Sequence, residues 1–236
     1  LEQEGTAELS ARAAARVDAL LRAAELAVAR LRDPRRARAT LTRAFEAAPA
    51  EERIVAMLRV RLREDEDWGA LAQMLQRHAA ALEPGKRVGT LFELAQVLRD
   101  RLQLPGDAAS ALDALLALAP RHPGALVLLG EIRAAAESWQ PALEAFRQAE
   151  QAMPERDAEW RRVRLARVDI LAERLGLYAD AEQLLRDALG PDGRDIDMLR
   201  RLAGVLRKMQ NWAAVEDTVT RLVAVEPPEH GRYLPC

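Results

Sequence analysis

Several residue types that particular classes of protein need are scarce in this sequence. Only one of its 236 residues is a cysteine, Cys236, which excludes an internal disulfide framework and a cysteine metal cluster. Aromatic residues make up 4% of the chain, so its core must be built from aliphatic side chains. No run of residues approaches the roughly 18 apolar residues of a membrane-spanning helix, so we expect no membrane insertion.

The charges of the sequence nearly cancel. Its 35 Lys and Arg residues stand against 37 Asp and Glu residues, which leaves a formal net charge of −2. A protein that binds nucleic acid as its main partner needs a clear basic excess, so we expect no such partner. Half of the residues are apolar, and this content together with the low net charge argues against a disordered chain.

The patterns of catalytic and metal-binding sites are also missing. The three histidines, His78, His122 and His230, lie far apart without the spacing of metal ligands, so we expect them on the surface or at helix ends. Lys86 follows a Pro-Gly pair, but no upstream glycine and no following Ser or Thr complete a phosphate-binding loop. No serine combines with a base and an orienting group. We therefore expect no cofactor, no metal and no enzymatic activity.

The residues that are abundant predict helices along the whole chain. Between Arg16 and Leu31 the apolar side chains recur at spacings of three and four, which is typical of one face of an α-helix. Ala, Leu, Arg and Glu dominate, and all four favour helices. Proline and glycine interrupt the helical segments at intervals of one or two short helices. The sequence therefore predicts an all-α fold.

Three tryptophan pairs reveal an internal repeat. In each pair a small polar residue that can cap a helix precedes the tryptophan, and the spacing between successive pairs is nearly constant. An Arg-Leu pair recurs with almost the same spacing. The tryptophan pairs are Asp67-Trp68, Ser138-Trp139 and Asn211-Trp212, and the Arg-Leu pairs are Arg30-Leu31, Arg101-Leu102 and Arg174-Leu175. A unit of about 70 residues therefore occurs three times and contains two helix–turn–helix hairpins, which predicts about twelve helices.

Hairpins of about 34 residues resemble the tetratricopeptide repeat. The fourth hairpin carries most of the resemblance, with a small residue in its first helix and Ala and Phe in its second, at Leu126, Leu129, Gly130, Ala142, Phe146, Ala149 and Pro154. Leu126 and Arg133 stand where the family has aromatic residues. The resemblance implies a right-handed α-solenoid of about six hairpins, with a concave groove lined by the first helix of each hairpin. In the odd-numbered hairpins we expect one extra residue in the turn between the helices.

The repeat divides the chain into segments of one continuous solenoid. Residues 1–15 would be the tail of a preceding repeat or an N-terminal extension, 16–86 repeats 1 and 2, 87–160 repeats 3 and 4, 161–229 repeats 5 and 6, and 230–236 a C-terminal tail. No polar capping repeat is visible at either end, so we expect exposed apolar end faces and self-association through them. No signal peptide is present, which favours the cytoplasm without assigning the compartment.

Members of the tetratricopeptide-repeat family bind peptides or partner helices in the groove, so the resemblance implies a protein or peptide partner. Arg200, Arg201, Arg207 and Lys208 lie on one predicted helix, where arginine offers a bidentate fork to a carboxylate, and this favours an acidic partner. A solvated helix face is the alternative interpretation of these cations. The candidate partner-binding residues are Arg63, Arg99, Glu131, Asp169, Arg200, Arg207 and Lys208.

The function predicted from the sequence is a non-catalytic scaffold for protein–protein interaction. Two alternatives stay open. The chain could be a regulatory or recruiting segment of a larger enzyme, or a structural spacer in a large bacterial assembly without a binding site of its own. The 33 arginines against two lysines, with abundant alanine, point to a GC-rich bacterial coding bias.

Overall fold

The computed structural model describes residues 15, 18–26, 33–154, 156–190 and 193–225. Within them residues 18–26 are helical, eleven further α-helices follow, and no strand occurs. The all-α prediction is confirmed. The helices are α1 (Pro34–Ala47), α2 (Glu52–Glu64), α3 (Trp68–Ala81), α4 (Arg87–Asp100), α5 (Pro105–Leu118), α6 (Pro123–Ala135), α7 (Trp139–Ala152), α8 (Ala158–Asp169), α9 (Tyr178–Leu189), α10 (Ile196–Lys208) and α11 (Trp212–Val225). A 3₁₀ turn (Pro84–Lys86) precedes α4, and a π turn (Ile170–Arg174) extends α8.

The chain forms two compact units, Leu1–Pro120 and Arg121–Cys236. In the first unit α1 packs on α2, and the hairpins α2/α3 and α4/α5 follow. In the second unit the hairpins are α6/α7, α8/α9 and α10/α11. Within a unit the second helix of each hairpin also contacts the first helix of the next one, as α3 does with α4 and α7 with α8. The segment boundaries after residues 86 and 160 stay predictions.

All three tryptophan pairs mark helix starts as predicted, although one of the three capping residues makes no side-chain bond. Trp68, Trp139 and Trp212 are the first residues of α3, α7 and α11. The Asp67 carboxylate accepts a hydrogen bond from the N–H of Ala70, and this bond, followed by the bond from the Arg38 guanidinium, lowers the pKa of Asp67. The prediction that the Ser138 side chain caps α7 is wrong, because its hydroxyl makes no capping bond. The backbone turn before α7 determines where that helix begins.

That backbone turn recurs after the first helix of every hairpin whose turn the structure describes, and it depends on one residue in the left-handed conformation. Glu66, Glu137 and Gln210 have φ values of 53°, 55° and 58°, and each lies two residues before a tryptophan that begins a helix. Around Glu66, the N–H of Asp67 bonds the carbonyl of Leu62, which is the Schellman pattern of a helix end.

The third and fifth hairpins also have a left-handed residue in this turn, with one additional residue before it. Gln103 takes this position after α4 with φ 56°, and Gly176 takes it after the π turn with φ 66°. The turn after α4 contains four residues, 101–104, against three in the turns after α2, α6 and α10. After α8 the π turn takes up the additional residue. The predicted extra residue is confirmed in these two hairpins.

Replacing Gln103 with glycine should therefore stabilise the first unit. A side chain with a Cβ in the left-handed region costs about 1 kcal/mol, which glycine avoids. We expect the free energy of unfolding in urea to rise by about that amount. The control is Gln96→Gly in the exposed middle of α4, which should lower it by about 0.8 kcal/mol. A loss of stability in Gln103→Gly equal to that in the control would contradict the role of this turn.

Packing inside the fourth hairpin agrees with the role predicted for its small residue. A Cβ atom built on Gly130 in α6 would lie 2.6 Å from Cδ1 and Cε1 of Phe146 in α7. Phe146 is buried, so the aromatic ring occupies the space that a side chain at position 130 would need. The absence of a side chain allows the two helices to approach closely.

His78 lies at a helix end, which is one of the two places expected for the histidines, but it is buried. His78 is fully buried in the last turn of α3, where its Nδ1 lies 2.7 Å from the carbonyl oxygen of Pro49. It joins α3 to the loop between α1 and α2. His122 fits the expectation because its Nδ1 caps α6 by accepting from the N–H of Ala125, and His230 lies outside the described residues.

Candidate partner-binding surface

In the first unit an ion-pair cluster joins α2 and α4, which are the first helices of two successive hairpins. Arg63 Nη2 donates to Glu93 Oε1 at 2.8 Å, and Arg59 Nε lies 3.3 Å from Glu93 Oε2. One carboxylate on α4 is therefore shared by two arginines on α2. Beside it lies a cleft of about 380 Å³ lined by Arg63, Trp68, Glu93, Gln96, Val97, Asp100 and Arg101.

In the second unit the first helices α6, α8 and α10 are joined in the same way. Arg162 on α8 donates to Glu131 on α6 at 2.6 Å. Asp169 on α8 receives two parallel bonds from Arg201 on α10, at 3.0 and 2.9 Å. Such a bidentate pair fixes the relative position of two helices more closely than a single contact does.

A second link between α8 and α10 involves a helix cap. Arg161 on α8 lies 2.5 Å from Asp195 and donates to Asp197 at 2.6 Å. Burial raises the pKa of Asp195, but the bonds from Arg161 and from the N–H of Met198 outweigh it, and the net shift is downward. The same carboxylate caps α10 and accepts from α8, so it stays charged at neutral pH.

The structure therefore places the predicted partner-binding residues in two groups. Arg63, Glu131 and Asp169 are held by a neighbouring first helix, and Arg99 donates to Asp100 at 2.6 Å. Their participation in partner binding stays a prediction. The others, Arg200, Arg207 and Lys208, lie together on α10 and are all exposed.

The C-terminal end of α10 carries the basic cluster that the sequence predicted. Arg201 is engaged by Asp169, whereas Arg207 and Lys208 make no ion pair or side-chain hydrogen bond within the part of the chain that the structure describes. Cations in the last turn of a helix are favoured by the helix dipole. We call Arg200, Arg207 and Lys208 the basic end of α10.

Each tryptophan that begins α3 or α7 meets an arginine from the next hairpin. The guanidinium carbon of Arg101 lies 4.6 Å from the ring centroid of Trp68, and that of Arg174 lies 5.4 Å from the ring of Trp139. These are cation–π distances. The arginines belong to the repeated Arg-Leu pairs, so the contact between hairpins is itself part of the repeat.

The described residues hold no group of three or more His, Cys, Asp or Glu side chains that could bind a metal ion. None of the helices described is both long enough and apolar enough to cross a bilayer.

Solved structures resemble this chain at low sequence identity. A MamA protein is 15% identical, with 78% of this chain and 96% of that one covered and a TM-score of 0.58. A tetratricopeptide repeat protein from Parabacteroides merdae is 18% identical, with 90% of this chain and 81% of that one covered and a TM-score of 0.52. The nearly identical TPR-like repeats of a putative kinesin light chain from Podosopora anserina are 14% identical to this chain. The match covers 78% of this chain and 99% of that one, with a TM-score of 0.55. No family model and no curated protein matches the sequence.

The chain has the tetratricopeptide-repeat fold. Both the helix hairpins described above and the similarity to these solved structures support this assignment. Gly130 and Phe146 then occupy the positions at which the tetratricopeptide repeat brings the two helices of a hairpin together.

A buried charge cluster in the second unit is not part of the tetratricopeptide-repeat pattern, and sequence analysis missed it. Glu150 Oε2 on α7 lies 2.9 Å from Arg164 Nη2 and 2.7 Å from Arg167 Nη1, both on α8. All three side chains are largely buried. Burial raises the pKa of Glu150 against the opposing pull of Arg167 and Arg164, and burial lowers the pKa of Arg164.

Trp160 lies next to this cluster and contacts Arg164. The guanidinium carbons of Arg156 and Arg164 lie 5.1 and 4.6 Å from the centroid of its ring. Arg164 therefore contacts the buried carboxylate and the indole ring at once. The spacing of Arg164 and Arg167, three residues apart on one helix face, was the only signal of this cluster in the sequence.

Proposed function

We propose that this chain is a non-catalytic protein-interaction scaffold that binds an acidic peptide, helix or protein at the first helices of its hairpins. The observation that carries the proposal is the contrast between α10 and the other first helices. Arg63 and Arg162 are neutralised by carboxylates on adjacent helices, whereas Arg207 and Lys208 have no carboxylate partner among the described residues.

Carboxylates are the groups that this basic end would recognise. A guanidinium donates two parallel N–H bonds to a carboxylate, and a nearby ammonium adds a point charge. Arg200 and Arg207 are seven residues apart on α10, which is about two helical turns, so they lie on the same side of the helix. An acidic segment that runs along α10 would meet both.

The test is a titration with a labelled peptide of alternating glutamate and alanine, compared with its glutamine counterpart, followed by fluorescence anisotropy at low and moderate salt. The native protein should prefer the glutamate peptide. Arg200→Glu/Arg207→Glu should weaken this binding at least about tenfold, because two attractive contacts become repulsive. The fold should remain intact, because both side chains are exposed.

The matched control is Arg35→Glu/Arg43→Glu. It makes the same change of charge on α1, the second helix of its hairpin, where both side chains are also exposed. We expect it to change the affinity for the glutamate peptide less than about twofold, because salt screens the attraction between distant charges. An equal loss of affinity in both variants would show that the binding depends on net charge alone and not on the basic end of α10. If neither peptide binds, the structural spacer becomes the better interpretation.

A further inference from the structure

The cleft beside Trp68 in the first unit combines apolar walls with hydrogen-bond donors. It lies between the second and third hairpins, and its volume of about 380 Å³ is within the range of roughly 300–1,000 Å³ that ligand pockets occupy. Trp68 and the buried Val97 give it apolar walls. Arg63, Gln96 and Arg101 give it donors. A ligand that fits this cleft therefore needs both an apolar group and a hydrogen-bond acceptor.

The ion pairs at this cleft leave an excess of positive charge. Glu93 contacts both Arg59 and Arg63, so one carboxylate faces two guanidinium groups. The other carboxylate that lines the cleft, Asp100, is balanced by Arg99 at 2.6 Å. The paired groups together therefore carry one positive charge more than they carry negative charges.

Arg101 adds a further positive charge, and Trp68 holds it in place. Its guanidinium carbon lies 4.6 Å from the centroid of the indole ring, and among the described residues its side chain makes no ion pair or hydrogen bond. A guanidinium that lies over an aromatic ring still presents its N–H donors at its edge. The exposed amide of Gln96 also has no hydrogen-bond partner in this part of the chain. Both groups can therefore bind a ligand without losing a hydrogen bond that the structure describes.

The second unit has a carboxylate where this cleft has an amide. The repeated residues Arg101 and Arg174 are separated by the same number of positions as Gln96 and Asp169, so Gln96 and Asp169 are in register. Asp169 is bonded to Arg201 on the next first helix. Gln96 leaves the cleft of the first unit without this negative charge, which favours the binding of an anion there.

We propose that this cleft binds an acidic side chain of the partner together with an apolar side chain next to it. Arg63 and Arg101 would hold the carboxylate, and the apolar group would lie against Trp68 and Val97. Charge complementarity specifies this occupant, because the cleft has an excess of positive charge beside an apolar wall. The inference rests on the proposed function, since it gives the same acidic partner a second contact, in the first unit. The partner would then be an acidic segment that also carries apolar residues.

Labelled peptides that hold one Glu-Leu pair among serines and are blocked at both ends test the proposal by fluorescence anisotropy. The protein is the Arg200→Glu/Arg207→Glu variant, in which the basic end of α10 no longer attracts a carboxylate. The Glu-Leu peptide should bind at least about tenfold more tightly than peptides with Gln-Leu or Glu-Ser in its place. The first of these loses the charge of the hydrogen bonds to arginine, and the second loses the apolar contact.

Substitutions added to that variant locate the binding. Gln96→Glu should weaken binding of the Glu-Leu peptide at least about tenfold, because it places a carboxylate of the same size in the cleft. The matched control is Gln73→Glu, the same change at an exposed position of α3 outside the cleft, which should change the affinity less than about twofold. Arg101→Met keeps an apolar side chain that can cover Trp68 and should also weaken binding. Circular dichroism checks that each variant is folded.

The possible outcomes separate the cleft from the basic end of α10. A Glu-Leu peptide that does not bind, that binds no better than the two comparison peptides, or that is weakened equally by Gln96→Glu and Gln73→Glu would overturn the proposal. None of these results affects the contact at α10, which the glutamate–alanine peptide tests with Arg200 and Arg207 in place. If that peptide fails to bind the native protein while the Glu-Leu peptide binds as expected, the contact at α10 is wrong and the cleft remains a carboxylate site.

Discussion

Replacing Glu150 with leucine should destabilise the second unit by about 3–5 kcal/mol, although the substitution adds an apolar side chain to a buried position. Glu150 is the carboxylate partner that the structure gives to two largely buried arginines, Arg164 and Arg167. Without it both guanidinium groups would remain largely buried and would lose the carboxylate that they contact directly. The loss should appear in the free energy of unfolding in urea, followed by circular dichroism.

Two further variants distinguish the effect of the buried charges from the effect of changing a side chain on α7. Glu144→Leu on the same helix removes a carboxylate that is half exposed and bonded to Arg147, and it should cost less than about 1 kcal/mol. Adding Arg164→Met and Arg167→Leu to Glu150→Leu should recover most of the stability, because an apolar replacement removes the buried charges together. A loss in Glu150→Leu no larger than that in Glu144→Leu would show that the cluster is unimportant.

The same cluster shows where prediction from sequence ends. On α7 the buried face follows the helical period through Ala142, Phe146 and Ala149, and the sequence predicts these three as packing residues. Glu150 lies beside this stripe, where a carboxylate usually remains in water. Its burial depends on Arg164 and Arg167, which reach it from another helix. A pattern along one helix contains no information on that contact.

Local chemistry explains why the hairpins could be predicted in more detail than the surface. Helix starts depend on a capping residue and a tryptophan within a few positions, and the turns depend on one residue such as Gln103 or Gly176. These signals lie close together in the sequence. The environment of His78 depends instead on Pro49, 29 residues away, so the sequence could place this residue at a helix end but could not predict that it is buried.

The predicted partner-binding residues show the same limit. The tetratricopeptide-repeat resemblance identified Arg63, Glu131 and Asp169 as outward positions of first helices. The structure adds that each of them binds a residue 30 to 32 positions away, on the next first helix. Neutralisation between adjacent helices leaves Arg207 and Lys208, among the described residues, as the part of the prediction with the clearest chemistry for a partner.

Replacing Gly130 with alanine should destabilise the fourth hairpin by about 1–3 kcal/mol, although alanine favours a helix more than glycine does. The preference for alanine contributes up to about 1 kcal/mol in the opposite direction. The contact decides the sign, because the new Cβ would lie 2.6 Å from two carbons of the Phe146 ring and 3.0 Å from Cζ. Phe146 is buried, so its ring can yield only by displacing its neighbours or by separating α6 from α7.

Gly204→Ala on α10 is the matched control. Gly204 also lies inside the first helix of a hairpin in the second unit, but a Cβ built there has no atom within 4 Å. It should raise the free energy of unfolding by about 0.5–1 kcal/mol, so the two glycine variants should differ in sign. Combining Gly130→Ala with Phe146→Leu should cost less than the sum of the single losses, because the smaller side chain leaves room for the methyl group. If Gly130→Ala stabilised the protein as the control does, the contact between Gly130 and Phe146 would not be what sets the spacing of α6 and α7.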